Sequence, residues 1–223
     1  MPDVMDWDAA YRNEVFAGPP PWNIGEPQPE VAELIRSGTL RGEVLDAGCG
    51  VGDTALELAA QGYDVVGVDV AATAVNAASK EAEARGLTNA TFVQGDIASA
   101  LDGDDGRFAT ILDCTLFHSL PVEDRDDYLR SVQRAAAPGA AMYMLVFTTD
   151  ELPADSPCPI PNLVTQDELR AAVSKYWAID EIRPAFVHVE LPPIPNLPSN
   201  PSGYDEKGRA KLPALLLTAH KPG

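Results

Sequence analysis

The sequence predicts an α/β fold in which a mainly parallel sheet is covered by helices on both faces. Over the first two-thirds of the chain, short runs that are apolar throughout alternate with segments of helical periodicity. That alternation is typical of strands buried on both faces and joined by crossover helices. Such sheets bind ligands at the carboxyl ends of their strands. Four successive apolar runs end in an aspartate: Asp46, Asp69, Asp96 and Asp113.

Five strands and three helices are predicted before residue 148. Gly62 and Gly86 follow the first two helical segments at the position where a left-handed residue ends a helix. The third helical segment has an acidic first turn, which suits the helix dipole. The predicted strands cover 43–47, 64–70, 90–96, 107–113 and 140–147, and the helices cover 53–62, 73–86 and 122–139.

The last third of the chain is richer in proline. A capping box between Thr165 and Glu168 opens a short helix. No internal repeat and no separate region is evident, so we predict a single domain over residues 1–223. The remaining predictions are an acidic loop at 148–162, a helix at 165–176, a strand at 177–190, a loop or lid at 191–211 and a final strand at 213–220.

Composition excludes several classes of partner. The formal net charge is -18, from 34 acidic and 16 basic residues, so a nucleic-acid interface and binding to anionic membranes are not expected. The three cysteines, Cys49, Cys114 and Cys158, form no C-x-x-C pair and indicate neither a disulfide framework nor a zinc site. The acidic N-terminus has no apolar signal region, and we predict a cytoplasmic protein.

The stretch VLDAGCGVGD, at 44–53, follows the first strand with three alternating glycines. Gly48, Gly50 and Gly52 let a ligand approach the backbone more closely than an ordinary turn requires. The spacing is one residue shorter than the G-x-G-x-x-G of dinucleotide sites. Asp46 would repel a pyrophosphate and attract a cationic amino-acid group. The stretch therefore favours S-adenosyl-L-methionine (SAM) over NAD.

Aspartates at the next strand ends fit the same ligand. Asp69, 19 residues after Gly50, can accept hydrogen bonds from ribose hydroxyls. Asp96 can accept from an adenine amino group, with Ile97 against the ring. An aspartate there can also simply cap the following helix, but its repetition at four strand ends favours a ligand site.

Taken together, residues 40–147 resemble the class I SAM-dependent methyltransferases. VLDAGCGVGD is similar to their first motif, VVGVDV to their ribose motif, VQGDI to their adenine motif and ILDCTLFHSL to their fourth-strand motif. The resemblance implies a Rossmann-like seven-stranded sheet in the order 3-2-1-4-5-7-6, with strand 7 antiparallel. It also implies SAM as cofactor and S-adenosyl-L-homocysteine as product. The implied cofactor-binding residues are Tyr11, Trp22, Asp46, Gly48, Gly50, Asp69, Val70, Asp96, Ile97 and Asp113.

The N-terminus narrows the resemblance. WDAAYRN (7–13) and PPPWNIGEPQPE (19–30) are similar to the opening of the thiopurine and thiol S-methyltransferase-like group. They resemble more closely the actinobacterial heterocyclic-toxin methyltransferases, which methylate O or N of small aromatic heterocycles. In such enzymes the N-terminal segment, here 1–35, folds over the cofactor, so Tyr11 and Trp22 would contact SAM. Trp22 can equally be an aromatic residue packed on the core.

Two other methyltransferase classes do not fit. Nucleic-acid amino-methyltransferases carry an Asn/Asp-Pro-Pro-aromatic motif after the fourth strand, where this chain has DCTLF (113–117). Metal-dependent catechol-type enzymes use a cluster of acidic ligands that the sequence does not reveal, and we predict no metal.

His118 and Asp113 are the candidate catalytic residues. His118 follows the fourth strand, and an imidazole with an ordinary pKa of ~6.5 can remove a proton from a weakly acidic acceptor. It can equally position the acceptor by a hydrogen bond. Asp113 can orient the cofactor amine or the acceptor, and His188 and His220 receive no role.

Aromatic residues are expected around the acceptor. With the Pro-rich loops at 151–162 and 191–203 as a lid, they would enclose a flat apolar molecule. The predicted acceptor pocket consists of Trp7, Phe16, Phe117, His118, Phe147 and Phe186.

These observations predict a methyltransferase that detoxifies a hydroxyquinolone- or phenol-like heterocycle by methylating O or N. Three alternatives stay open: a thiol or thiopurine S-methyltransferase, a non-catalytic SAM-binding protein and an NAD-linked oxidoreductase.

Overall fold

A seven-stranded sheet forms the centre of the fold. The computed structural model describes residues 5–16, 18–149, 162–191 and 202–223. Strand order is β3-β2-β1-β4-β5-β7-β6, with β7 antiparallel to both of its neighbours, so the predicted topology is confirmed. The strands are β1 (Val44–Ala47), β2 (Val65–Asp69), β3 (Ala90–Gln94), β4 (Phe108–Cys114), β5 (Ala136–Phe147), β6 (Ala178–Val189) and β7 (Ala210–His220).

Helices cover both faces of the sheet. Adjacent residues of β1 point to opposite faces, so Val44 packs with a cluster that includes α2 and α3, and Leu45 with one that includes α5 and α6. The helices are α1 (Trp7–Tyr11), α2 (Pro29–Arg36), α3 (Asp53–Ala60), α4 (Ala72–Arg85), α5 (Arg125–Ala135) and α6 (Gln166–Val173), with 3-10 turns at Phe117–Ser119 and Val122–Asp124.

Parallel pairing brings the predicted strand ends to one edge. β1 lies between β2 and β4, and its last residue, Ala47, pairs with Val68 on one side and Asp113 on the other. Asp69 ends β2 opposite Gln94 of β3. Carboxylates that are far apart in sequence therefore stand at the same edge of the sheet.

The predicted helix at 122–139 is too long. It ends at Ala135, and β5 begins at Ala136 instead of residue 140. Pro138 explains the difference, because a residue that precedes proline is disfavoured in the helical region. Gly139 then adopts a positive φ of 68°.

The predicted loop at 191–211 is also too long. β7 begins at Ala210, which pairs with Val189 of β6. Just before it, the amide of Asp205 donates to the carbonyl of Arg209 at 2.9 Å. Most of both predicted Pro-rich loops lies outside the described residues, as does Cys158.

The N-terminal segment is fixed to β6 through the buried side chain of Gln28. Its amide nitrogen donates to the carbonyl oxygens of Trp22 at 3.0 Å and His188 at 2.9 Å. Its oxygen accepts from the amide of His188 at 2.8 Å. Gln28 thus takes the place of a neighbouring strand beside His188 and holds the chain that carries Trp22.

Ion pairs reinforce this attachment. Glu26 contacts Lys207 and Arg209, each at 2.6 Å, and Glu30 contacts Arg183 at 2.6 Å. Sequence analysis found none of these contacts because the partners lie 153 or more residues apart.

Within the described residues, none of the helices has the length and apolarity that crossing a bilayer requires.

We predict that Gln28→Ala lowers the free energy of unfolding by about 1–3 kcal/mol, because it leaves buried backbone groups of His188 without partners. Urea denaturation measures the change. Gln61→Ala is the control, since Gln61 is exposed and bonds only to Glu57 of its own helix. Equal effects of the two substitutions would contradict the anchoring role of Gln28.

Candidate functional site

A cavity of about 570 Å³ lies at the carboxyl edge of the sheet. Its floor comes from the residues that end or follow β1, β2, β3 and β4. Its walls come from α1, from the segment 22–28 and from residues 115–128. The predicted site residues in its lining are Trp7, Tyr11, Trp22, Asp46, Gly48, Gly50, Asp69, Val70, Asp96 and Ile97.

The glycine loop fits closely under α1. Gly48 and Gly50 have φ angles of 71° and 54°, a region that favours glycine. A Cβ on Gly50 would lie 2.5 Å from the hydroxyl of Tyr11. The amide of Gly50 donates to Asp69 Oδ2 at 2.8 Å, so the loop and the end of β2 form one unit.

Asp46 is a buried carboxyl with an unsatisfied oxygen. It lies in the cavity lining and is 2% exposed, and its Oδ2 has no hydrogen-bond partner among the described residues. Burial, assisted by Asp69 and Asp113, raises its pKa to about 7. A buried charge of this kind requires a partner. A cationic ligand in the cavity would supply one.

Asp69 and Asp96 are held by the backbone. Asp69 Oδ1 accepts from Ala71 N at 2.9 Å, and Asp96 Oδ1 accepts from Ala98 N at 2.9 Å. Burial raises the pKa of Asp69, and the bonds from Ala71 and Gly50 oppose that shift. Because a carboxylate oxygen can accept more than one hydrogen bond, both residues can still accept from a ligand.

Apolar side chains accompany these carboxylates. Val70 follows Asp69 and is 52% exposed, although it is a large hydrophobic residue. Ile97 follows Asp96 and is buried. Both line the cavity, where they can contact the faces of a flat ring.

The N-terminal segment supplies the aromatic wall. The ring of Trp22 makes edge-to-face contacts with Trp7, at 6.1 Å between centroids, and with Phe16, at 5.5 Å. Phe16 is outside the cavity lining and supports Trp22 from behind. Asp8 fixes α1 to the start of α4, accepting from Thr73 N at 2.7 Å.

Asp113 is fully bonded beneath the cavity. One oxygen accepts from the Tyr128 hydroxyl at 2.7 Å, and the other from the amides of Leu116 and Phe117 at 2.9 and 3.2 Å. Burial raises its pKa to about 6, while the bond from Tyr128 opposes the shift. Asp113 is absent from the cavity lining, but Tyr128 is part of it. The structure therefore gives Asp113 the place of a support and not of a ligand contact.

His118 does not reach the cavity either. Its side chain is buried, and its Nδ1 accepts from Phe147 N at 3.4 Å. The two rings contact edge to face at 5.0 Å. Burial, with a smaller effect of Arg125, lowers the pKa of His118 to about 3. The expectation of a base beside the acceptor must therefore be corrected, because this imidazole is neutral and enclosed.

The remaining predicted aromatics also lie elsewhere. Phe117 and Phe147 are buried outside the cavity lining. Phe186 is on β6, 37% exposed and under the ammonium of Lys211. Phe117 and Phe147 therefore pack in the core and Phe186 lies on the surface of the sheet, so the prediction that they line the acceptor pocket is wrong.

Comparison with known proteins decides the family. A family model described as "Methyltransferase domain" matches residues 44–139. A Mycobacteroides abscessus protein named 2-heptyl-1-hydroxyquinolin-4(1H)-one methyltransferase is 51% identical over 82% of this chain and 80% of its own length. The chain belongs to the class I SAM-dependent methyltransferases. The fold, the glycine loop and the strand-end carboxylates of this methyltransferase agree with that assignment.

Solved structures extend the comparison. One, described as "Conversion of a Disulfide Bond into a Thioacetal Group during Echinomycin Biosynthesis", is 32% identical, with a TM-score of 0.81 over 97% of this chain and 91% of its own. Another is Burkholderia thailandensis 1,6-didemethyltoxoflavin-N1-methyltransferase with S-adenosylhomocysteine bound. It is 20% identical, with a TM-score of 0.70 over 98% of this chain and 86% of its own. The second likeness shows the fold alone.

SAM is the cofactor of this family, and the residues present suit it. The unsatisfied oxygen of Asp46 fits a cationic group, Asp69 and Asp96 offer acceptors, and Val70 and Ile97 offer apolar contacts. In the described ranges, no group of three or more His, Cys, Asp or Glu side chains is arranged to hold a metal ion.

Several lining residues escaped sequence analysis. Thr115 follows β4 with a φ of 71°, rare for a β-branched residue and typical of functional sites. Tyr128 lay in a predicted helix, where nothing in the pattern distinguished it from a core residue. Further lining residues belong to the N-terminal segment, and they could not be predicted because long-range packing places this segment at the cavity. They are Asp6, Asp8, Asn23, Glu26 and Gln28.

We predict that Asp69→Ala weakens SAM binding about 10- to 100-fold, because it removes charged acceptors and frees the amide of Gly50. Calorimetric titration with SAM measures the change. Asp64→Ala, ahead of the same strand and outside the cavity lining, is the control. Unchanged affinity in Asp69→Ala would contradict the cofactor assignment.

We also predict that His118→Gln leaves the shape of the pH–rate profile unchanged between about pH 5.5 and 9. A group with a pKa of about 3 stays neutral throughout that range. Measurement of kcat/KM across it, beside wild type, is the test. The disappearance of an acidic limb in the variant would restore His118 as a general base.

Proposed function

We propose that this methyltransferase transfers the methyl group of SAM to O or N of a small, hydroxyquinolone- or phenol-like heterocycle. The observation that carries the proposal is the cavity itself, in which cofactor-type residues and an aromatic wall share one partly enclosed space. The likeness to the hydroxyquinolone methyltransferase of Mycobacteroides abscessus supports the choice of acceptor.

On the cofactor side, the chain would act by binding and orientation. SAM, when bound, supplies a methyl group on a positively charged sulfur. Asp46 would face the cationic part of the cofactor, Asp69 the ribose and Asp96 the adenine, with Val70 and Ile97 against the ring. Tyr11, above Gly50, would close the cofactor side together with the N-terminal segment 1–35. Such positioning lowers the barrier of a displacement reaction, because the reacting atoms are already held in line.

On the acceptor side, the aromatic residues Trp7 and Trp22 offer flat apolar surfaces, and Phe16 steadies Trp22. Trp22, expected beside SAM, would thus also face the acceptor. Leu116, Leu120 and Pro121 extend the apolar lining from the opposite wall. A planar heterocycle would fit between these walls, and its bulk would exclude water from the reacting atoms. Phe117, Phe147 and Phe186 are not part of this proposal.

The proton of the acceptor needs no imidazole from this chain. On methylation, the acceptor oxygen or nitrogen would exchange its proton, which leaves to solvent, for the methyl group that the cofactor would supply. The N–OH or phenolic group would bind uncharged and release this acidic proton as the new bond forms, so a general base contributes little. The buried position of His118 agrees with this mechanism.

Methylation would also change the biological properties of the acceptor. Replacing an acidic hydroxyl by a methyl ether removes an ionisable proton and a hydrogen-bond donor, and leaves an oxygen that binds metal ions more weakly because it can no longer become anionic. We infer a detoxifying role from this chemistry.

Sulfur methylation is the second candidate. The 32% identical structure concerns the conversion of a disulfide bond into a thioacetal group, so sulfur chemistry occurs in a relative that matches almost the whole chain. An aromatic thiol would fit the same apolar walls.

We predict turnover of hydroxyquinolones and phenols, with aromatic thiols inert, in an assay that detects S-adenosylhomocysteine by mass spectrometry. The Asp69→Ala variant is the control for cofactor-dependent product. Turnover of thiols alone would identify the protein as an S-methyltransferase. SAM binding without turnover of either class would favour a binding protein.

A further inference from the structure

The charged side chains that line the cavity are all acidic. All 16 Lys and Arg residues and all three His residues lie in the described part of the chain, and none of them lines the cavity. Among the described residues, the lining contains nine carboxyl side chains: Asp6, Asp8, Glu26, Asp46, Asp53, Asp69, Asp96, Asp124 and Asp127.

Neighbouring cations neutralise only a minority of these groups. Asp8 pairs with Arg12, Glu26 with Lys207 and Arg209, and Asp127 with Arg130. Among the described residues, six have no cationic side chain within 4.0 Å: Asp6, Asp46, Asp53, Asp69, Asp96 and Asp124.

The cofactor compensates for little of this charge. SAM carries one net positive charge at neutral pH, since its amino and carboxylate groups cancel. This positive charge would be used first on Asp46, which is buried and whose Oδ2 has no hydrogen-bond partner among the described residues. An excess of negative charge therefore remains around the space left for the acceptor. In a partly enclosed cavity, such a field is stronger than on an open surface.

The unpaired carboxylates come from separate walls of the cavity. Asp6 caps α1 in the N-terminal wall and accepts from Ala9 N at 2.9 Å. Asp124 precedes α5 in the wall formed by residues 115–128, which also contains the apolar residues Leu120 and Pro121. An acceptor between the walls would meet apolar surface with negative charge around it.

We propose that the enzyme takes its acceptor as an uncharged heterocycle and rejects congeners that carry a carboxylate, sulfonate or phosphate. The inference rests on the proposed function and narrows its substrate class. Like charges brought together in a binding site cost several kcal/mol and act as a filter against wrong ligands.

Three congeners isolate the charge: 1-hydroxyquinolin-4-one, its 2-carboxamide and its 2-carboxylate. The amide and the acid have nearly the same size, so steric exclusion affects both alike. We expect kcat/KM for the carboxylate to lie about 100-fold below that for the carboxamide. Added salt should narrow this ratio, because it screens the field of the walls.

A pair of variants connects the effect to the cavity. Asp6→Asn combined with Asp124→Asn removes one charge from each wall. Asparagine caps a helix as well as aspartate does, so α1 keeps its cap, and the side chain of Asp124 makes no cap hydrogen bond to α5. The ratio of kcat/KM for carboxylate to carboxamide should rise about tenfold. Asp105→Asn is the control, because Asp105 is exposed beside Arg134 and outside the cavity lining. In Asp105→Asn, the ratio of kcat/KM for carboxylate to carboxamide should stay at its wild-type value.

Equal kcat/KM for the carboxylate and the carboxamide at low salt would overturn the inference and leave the proposed function intact. If no uncharged congener reacts, the proposed function fails instead. Calorimetric binding of the acid and the amide to the S-adenosylhomocysteine complex then tests the filter separately. Weaker binding of the acid supports it, while equal binding, or none by either, overturns it.

Discussion

The fold depends on how it accommodates negative charge at the carboxyl edge of its sheet. Asp46, Asp69 and Asp113 end neighbouring parallel strands, and burial raises the pKa of each. Backbone amides and Tyr128 satisfy Asp69 and Asp113. Asp46 retains an oxygen that has no hydrogen-bond partner in the part of the chain that the structure describes. We infer that the electrostatic cost of burying Asp46 is offset when a cationic cofactor binds.

The two ends of the chain complete that site. β7 returns antiparallel between β5 and β6, and so places β6 beside the N-terminal segment. Gln28 and Glu26 use this proximity to hold Trp22 and the chain around it over the cavity. The N-terminal wall of the cavity is thus joined to β6 by hydrogen bonds and ion pairs.

Much of this could be predicted from sequence, because apolar runs and their terminal aspartates report local structure and parallel topology places them together. The loop from Gly48 to Gly52 could also be predicted as part of the site, because its alternating glycines form a local pattern. Side-chain direction was not predictable: His118 follows the right strand, yet its ring turns into the core against Phe147. The role of Gln28 was not predictable either, since its partner His188 lies 160 residues away in the sequence.

The number of protons released on SAM binding tests the central claim most directly. Calorimetry at about pH 6.5, in buffers of different ionisation enthalpy, provides it. Free Asp46, with a pKa of about 7, is mostly protonated at that pH and should ionise beside the cofactor's positive charge. The account predicts release of a large fraction of one proton by wild type and none by Asp46→Asn. Equal release by both proteins would contradict it.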